Sequence, residues 1–170
     1  METEAAGRAW ADAWQRAWRA LDAELLRPIY TDETVHRSHP FREPGSPIEY
    51  AQWALAEEEG EPRVWMGDPI VSGDRSAIEW WAVLIENGKE VSLAGTSIVR
   101  FDPEGRAVEQ TDYWGTADGS TPPFEGWGQT PSKPERKRAR SATLTRRRTD
   151  AVRAREACSR RTVDDSRPST

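Results

Sequence analysis

The sequence predicts an α+β fold in which N-terminal helices pack on one face of an antiparallel sheet. Apolar residues recur with helical spacing in the first part of the chain, and from residue 63 onward their period changes to two. The period-two segments follow one another across short turns, which is typical of an antiparallel meander. Helices that precede such a sheet cover one of its faces, so the two patterns together indicate a layered α+β domain.

An amphipathic helix is predicted over residues 4–26. Trp10, Trp14 and Trp18 recur every four residues, leucines continue the same stripe, and Pro28 closes the segment. A stripe this wide and aromatic needs a broad partner such as a sheet. Core packing accounts for the three indoles, and the alternative is that one of them lines a ligand pocket from the helix side.

A second helix is predicted to begin at Ser46 and to end by Gly60. Ser46 caps this helix, Pro47 occupies its first position, and Glu49 is spaced to reach back to the cap. The segment before it, residues 29–45, is polar and interrupted by prolines. We therefore expect a loop there, or at most a short edge strand.

The meander is predicted to contain four strands. They cover residues 63–71, 75–86, 89–101 and 107–114. Asn87 and Gly88, between the second and third strands, are the strongest short hairpin signal in the chain, because both residues tolerate the positive φ of a tight turn. Alternation along the last strand places Gln110, Asp112 and Trp114 on one face.

Charge divides the chain into two parts. Residues 1–131 contain 11 Lys and Arg against 24 Asp and Glu, a net charge of −13, whereas residues 132–170 carry +8. The basic part has too few apolar residues to offset the entropy of ordering it. We therefore predict a folded domain over residues 1–128 and a basic, disordered tail over residues 129–170. An acidic body repels nucleic acid, which leaves the tail as the place where a polyanion would bind.

Several classes of function find no support in the sequence. No apolar run is long enough to span a membrane, and the single cysteine, Cys158, allows no internal disulfide, so we expect a cytoplasmic protein. No glycine-rich nucleotide loop and no GxSxG nucleophile motif occurs, and no metal-ligating cluster is expected. Any chemistry is therefore expected to be proton transfer, or addition and removal of water, without a cofactor.

Six short strings of the sequence resemble the SnoaL-like branch of the nuclear-transport-factor-2-like superfamily. They are residues 30–36, 38–41, 79–82, 93–97, 101–105 and 112–114. The resemblance covers about residues 8–128. It implies a cone in which a curved antiparallel sheet wraps around the N-terminal helices, with a small apolar or polycyclic ligand in the open mouth and a homodimer paired through the outer sheet face. Isomerases, hydrolases, dehydratases and polyketide cyclases share this cone, so the fold alone does not set the reaction.

Asp112 and Glu79 are the acidic candidates for catalysis. The resemblance implies that Asp112 faces the pocket and works as a general acid/base on a carbon beside a carbonyl. The alternative for Asp112 is a structural salt bridge with Arg37 or Arg100. Glu79 lies in a strand that is apolar on both faces, so we expect it to lose hydration and its pKa to rise.

The two histidines, His36 and His39, flank a loop or strand end near the expected mouth of the cone. His39 is the stronger candidate for a proton relay in the pocket, and His36 either binds backbone at the rim or contacts the ligand. Packing would explain the aromatic candidates equally well. The residues expected to bind ligand are Trp81, Tyr50, Trp53, Trp114, His36 and Ser97.

Two function hypotheses follow from these residues. In the first, the protein is a cofactor-independent cyclase, isomerase or hydratase that uses Asp112, Glu79 and His39 around one aromatic cavity. In the second, the same cone binds a ligand or dimerises without turnover. Neutralising the carboxylates should abolish function in the first case and leave ligand binding unchanged in the second.

Overall fold

The computed structural model describes residues 1–130 of the chain. The predicted basic tail lies outside the described residues, apart from its first two positions. Two α-helices, one 3-10 helix and six strands make up the described part. In chain order they are α1 (Thr3–Ala20), the 3-10 helix (Ala23–Ile29), β1 (Tyr30–Arg37), α2 (Pro47–Ala56), β2 (Glu59–Met66), β3 (Ile70–Ser72), β4 (Arg75–Glu86), β5 (Lys89–Phe101) and β6 (Ala107–Asp118).

The six strands form one curved, open sheet in the order β1-β6-β5-β4-β2, with β3 beside β4. The predicted α+β class is confirmed. The sheet is mixed rather than purely antiparallel, because β1 runs parallel to β6. Parallel neighbours need a long crossover, and here α2 and four strands separate the two in sequence. The Thr34 hydroxyl donates to the carbonyl of Ala107 at 2.7 Å and ties β1 to the sheet.

The segment before α2 contains more structure than the sequence predicted. Where a loop or a short edge strand was expected, β1 forms an edge strand of eight residues. Tyr30, Thr34 and His36 point inward from it and are buried. These inward side chains are polar, and hydrogen bonds rather than an apolar surface satisfy them. The period-two apolar pattern that marks a strand is therefore missing from this part of the sequence.

The first helix ends six residues earlier than predicted. Leu21 adopts a left-handed conformation with φ 51° and ends α1. The Asp22 carboxylate then accepts a hydrogen bond from the backbone N–H of Glu24 and caps the 3-10 helix, which contains Pro28. The second helix begins as predicted, with the Ser46 hydroxyl accepting from the backbone N–H of Glu49 at 3.3 Å.

The remaining strands follow the prediction with three differences, the first of which is that β2 begins at Glu59 rather than at residue 63. The segment predicted as one strand over 63–71 is broken into β2 and β3, because Pro69 lacks a backbone N–H and Gly67 lies against the backbone of Gly128. The last strand continues to Asp118. The Asn87 and Gly88 hairpin is confirmed, with φ of 51° and 71°.

The core lies between the helices and the inner face of the sheet. The largest cluster of buried side chains packs α1 against the middle strands, and it includes Trp10, Trp14, Ile78 and Val99. Among residues 1–130, neither α-helix combines the length and the apolar content needed to cross a bilayer.

Candidate functional site

A cavity of about 520 Å³ lies between the helices and the inner face of the sheet. Its volume is in the range of sites that hold small molecules. Six of the nine tryptophans line it, together with Tyr50 and Met66. The six are Trp10, Trp14, Trp18, Trp53, Trp80 and Trp114.

The indoles of α1 form a continuous aromatic wall with the sheet. Ring centroids of Trp10 and Trp14 are 5.9 Å apart, and those of Trp14 and Trp18 are 6.3 Å apart. Trp18 then meets Trp80 of β4 at 5.7 Å. These separations and the tilted ring planes are those of favourable aromatic pairs. The four-residue spacing along α1 therefore builds both the core and one side of the cavity.

Asp112 lies on the floor of the cavity and is held by three hydrogen bonds. Its Oδ1 accepts from the Ser97 hydroxyl at 2.7 Å and from the Gln110 amide at 2.9 Å. Its Oδ2 lies 2.8 Å from His36 Nε2. The His36 tautomer with its proton on Nε2 donates to this carboxylate oxygen, which accepts. The side chains of His36 and Asp112 are 1% and 10% exposed.

The salt bridge considered as an alternative role for Asp112 does not form. The Arg100 guanidinium pairs with Glu109 at 3.2 Å, on the opposite face of the sheet. Strand pairing explains the actual partners, since Ser97 is directly opposite Asp112 on β5. His36 lies on β1, where it is paired with Gln110 of β6, and its side chain reaches the Asp112 carboxylate from this neighbouring strand.

Further donors behind the floor fix the direction of this network. Trp14 Nε1 donates to the Tyr30 hydroxyl at 2.8 Å, and the Tyr30 hydroxyl donates to Gln110 Oε1. Trp10 Nε1 also donates to Gln110 Oε1, at 3.1 Å. With its oxygen occupied by donors, the Gln110 amide presents its nitrogen to Asp112. Complete burial raises the pKa of Tyr30, so its hydroxyl keeps the proton that it donates.

Neither histidine lines the cavity, although His39 was expected in the pocket and His36 either at the rim or in contact with the ligand. His36 contacts Asp112, and its ring meets Tyr50 edge-on at 5.0 Å. His39 stacks against Trp114 at 5.8 Å and against Phe41 at 5.3 Å, and it does not line the cavity. The turn after β1 directs His39 away from the cavity, whereas alternation along β1 directs His36 inward.

Glu79 and Trp81 lie on the outer face of β4, which corrects their expected position in the cavity. Glu79 is exposed, opposite Thr96 of β5. Trp81 packs against Trp127 at 6.0 Å and donates from Nε1 to the carbonyl of Thr121 at 2.7 Å. The chain after β6 therefore covers part of the outer face. This cover explains why both faces of β4 are apolar in the sequence.

The other predicted ligand-binding residues line the cavity. They are Tyr50, Trp53, Trp114 and Ser97. Gly95 allows β6 and the Trp80 indole to approach closely, because a Cβ at this position would lie 2.6 Å from the Tyr113 carbonyl oxygen and 2.7 Å from both Trp80 Cζ2 and Trp114 Cβ. The Trp114 indole is fixed by a 2.7 Å hydrogen bond from its Nε1 to the carbonyl of Ser38.

Glu58, which no pattern in the sequence marks as a site residue, lines the cavity as a second carboxylate. Its Oε1 accepts from Trp18 Nε1 at 3.3 Å, and its Oε2 is buried without a hydrogen-bond partner. Burial raises the pKa of Glu58 to about 7, with the charge of Glu86 adding to the effect and the Trp18 bond opposing it. In the sequence, Glu58 is the middle of three consecutive glutamates at a helix end, which is typical of a solvated surface.

Negative charge predominates around the cavity. Arg42 is the basic residue among the described cavity-lining residues, and its guanidinium lies 5.7 Å from the centroid of the Trp114 ring. The lining carboxylates are those of Glu57, Glu58, Glu59, Glu86 and Asp112. Their combined field disfavours a ligand that carries negative charge.

Comparison with known proteins gives one family match. A family model described as a SnoaL-like domain matches residues 8–110. No curated protein matches the chain.

Two solved structures share the fold. One is SalBIII, an epoxide hydrolase/cyclase-like enzyme with a role in pyran ring formation in the polyether salinomycin. The two structures superpose with a TM-score of 0.58 at 15% sequence identity, and the match covers 69% of this chain and 99% of SalBIII. The other is AclR of Streptomyces galilaeus, a proposed hydroxylase, with a TM-score of 0.53 and 18% identity, covering 65% of this chain and 79% of its own. At these identities the similarity establishes the fold alone.

Proposed function

Because residues 8–110 match its model, the chain belongs to the SnoaL-like domain family, and we propose that it binds a small, largely apolar ligand in the cavity and transfers a proton with Asp112 as general base. The observation that carries the proposal is a buried carboxylate at the floor of an aromatic cavity, held in place by three donors. Such a group can act in cyclisation, isomerisation or hydration without a cofactor.

The proposed step is removal of a proton from a carbon next to a carbonyl group. The Asp112 carboxylate takes the proton, and the electron pair of the C–H bond moves toward the carbonyl oxygen. Returning the proton to a different carbon gives an isomer. Attack of the new carbon nucleophile on a second carbonyl carbon of the same ligand closes a ring, as the π electrons of that carbonyl move to its oxygen, which then takes up the proton from Asp112. Ring formation is also the process in which SalBIII takes part.

Ser97, Gln110 and His36 are positioning residues in this proposal. Each donates to Asp112 and limits the rotation of its carboxylate toward the ligand. The aromatic walls favour a flat, uncharged ligand by burying its apolar surface. The acidic lining supports a ligand without a carboxylate or phosphate of its own.

A non-catalytic binding module is the second candidate, and one observation favours it. Both oxygens of Asp112 already accept hydrogen bonds from the protein, as they would in a purely structural role. In that case the carboxylate stabilises the floor of the cavity and the ligand is bound without being changed.

Asp112→Asn separates the two candidates. The probes are uncharged bicyclic ketones such as 2-tetralone, with binding followed by quenching of tryptophan fluorescence and proton transfer by exchange of C–H for deuterium in D2O. General-base action predicts that Asp112→Asn binds the ketone but exchanges it on the order of a hundredfold more slowly. Binding by wild type without any exchange would favour the binding module, and no binding of any probe would refute both.

We also propose that the protein is a cytoplasmic homodimer, as the family resemblance implies. Support for pairing comes from exposed apolar side chains on the outer face of the sheet, including Ile98 and Tyr113, which are 37% and 52% exposed. The single cysteine, Cys158, supports a reducing compartment. Light scattering coupled to size-exclusion chromatography would report the mass, and a monomer at micromolar concentration would contradict the pairing.

A further inference from the structure

Two carboxylates share the cavity in opposite hydrogen-bonding states. Asp112 receives three hydrogen bonds, and both of its oxygens have partners. Glu58 receives one hydrogen bond at Oε1, from Trp18, and its Oε2 is buried with no partner. Asp112 therefore has hydrogen-bond partners at both oxygens, whereas Glu58 has an oxygen that lacks any donor.

A buried oxygen without a donor makes the charged form of a carboxylate costly. Protonation relieves this cost and turns the group into an O–H donor. Burial raises the pKa of Glu58 to about 7, so near neutral pH the group both holds a proton and can release it. Arg42 also lines the cavity, but among residues 1–130 no arginine or lysine side chain forms an ion pair with Glu58.

Both carboxylates act on the same neighbour, Tyr50. Burial raises the pKa of Tyr50, and the charges of Asp112 and Glu58 raise it further, while Arg42 opposes them. The Tyr50 hydroxyl is therefore within electrostatic range of both groups. A ligand that occupies the cavity beside Tyr50 therefore has both Asp112 and Glu58 among the residues that line it.

Resting on the general-base role proposed for Asp112, we propose that Glu58 is the general acid of this cavity and that the substrate is a carbonyl compound with a removable proton on the adjacent carbon. Asp112 removes that C–H proton while the Glu58 O–H gives its proton to the carbonyl oxygen. The products of the step are a neutral enol, a protonated Asp112 and an ionised Glu58. When Asp112 returns its proton to carbon and Glu58 recovers the enol proton, a ketone forms and both carboxyl groups are restored.

The decisive variant is Glu58→Gln, because glutamine keeps the size of the side chain and can still accept from Trp18 but cannot transfer a proton. We expect 2-tetralone to bind within about threefold of wild type, while deuterium exchange slows on the order of a hundredfold. The wild-type rate should fall as the pH rises through 7, since Glu58 then loses its proton, and Glu58→Gln should lack that decline. Glu61→Gln, which removes an exposed carboxylate of β2 outside the cavity, is the matched control.

The outcomes distinguish this inference from the function on which it rests. Unchanged exchange and an unchanged pH profile in Glu58→Gln would overturn the acid role, while slow exchange in Asp112→Asn would still support the base. Normal exchange in both variants, or no exchange by wild type, would overturn both. A carbon-13 titration of the Glu58 carboxyl in folded protein is an independent check, and a midpoint near 4.5 would also overturn the acid role.

Discussion

The floor and the mouth of the cavity differ in how completely their polar side chains are hydrogen-bonded. At the floor, every polar group around Asp112 has a partner from another strand or from α1, and the side chains are almost fully buried. At the mouth, Trp53 is 52% exposed and Glu58 has an oxygen with no partner. The comparison shows that one end is preorganised by mutual hydrogen bonds, while the other holds a buried carboxylate oxygen whose bonding capacity is unused.

The largest expected effect on stability comes from a substitution at the floor of the cavity. Gln110→Leu removes a donor to Asp112 and the acceptor for Trp10 and Tyr30, and it leaves those buried groups without partners. We expect the free energy of unfolding to fall by about 3 kcal/mol. Gln52→Leu makes the same chemical change at an exposed site and should alter stability by less than about 0.5 kcal/mol. Equal denaturation midpoints for the two variants would contradict the importance of the network.

A slightly smaller effect is expected where the floor meets the indoles. Gly95→Ala places a Cβ 2.6 Å from the Tyr113 carbonyl oxygen and 2.7 Å from both Trp80 Cζ2 and Trp114 Cβ, so the β6 backbone and the Trp80 ring must shift. Overpacking of this kind costs about 1–3 kcal/mol, and ligand quenching of tryptophan fluorescence should weaken. Gly115→Ala is the control, because a Cβ there meets nothing within 4 Å. If the two alanine variants unfold at the same urea concentration, the close approach at Gly95 is unimportant.

At the mouth, Glu58 should make stability depend on pH. Its pKa of about 7 in the folded state lies above the ordinary value of 4.5, so the folded protein binds more protons between these values. Stability should therefore fall as the pH rises from 4.5 to 7 and stay level above. Glu58→Gln should be more stable than wild type at pH 8 by about 1 kcal/mol, allowing for partial exposure, and equal to it at pH 4. Chemical denaturation of wild type and Glu58→Gln at pH 4 and pH 8 measures these differences. The same difference in stability at both pH values would count against a buried charge on Glu58.

The smallest effect on stability is expected for Trp53→Ala. Its side chain is half exposed, so unfolding should change by less than about 0.5 kcal/mol, whereas 2-tetralone should bind several-fold more weakly because part of the cavity wall is lost. Phe124→Ala is the control, since Phe124 is 73% exposed and does not line the cavity. Calorimetric titration of both variants would sharpen the comparison, and equal affinities would exclude Trp53 from the site.

Periodicity in the sequence predicted most elements of the fold but not which face of β4 lines the cavity. Alternation correctly grouped Gln110, Asp112 and Trp114 on one face of β6. On β4 the wrong face was assigned to the cavity, because Trp81 is covered by Trp127 from a segment with no periodic pattern. No local signal in the sequence reports such a contact between distant residues.

The residues missed at the site share a physical reason. The role of Glu58 depends on an environment made by α1 and β4, and its own neighbours in sequence suggest a solvated surface. His36 was undervalued because β1 has inward-facing polar side chains and does not show the apolar alternation of a strand. Hydrogen bonds between strands that are far apart in sequence produce no regular residue spacing from which they could be predicted.

The indoles of α1 line the cavity and also begin the hydrogen-bond series that ends at the Asp112 carboxylate. An indole N–H cannot accept a hydrogen bond, so the series from Trp14 through Tyr30 and Gln110 ends at Asp112 and cannot run in reverse. An engineer who trims Trp10 or Trp14 to admit a bulkier compound would also remove a remote support of the reactive carboxylate. Selectivity in this protein is therefore easier to redesign from Trp53 and the β4–β5 hairpin than from its first helix.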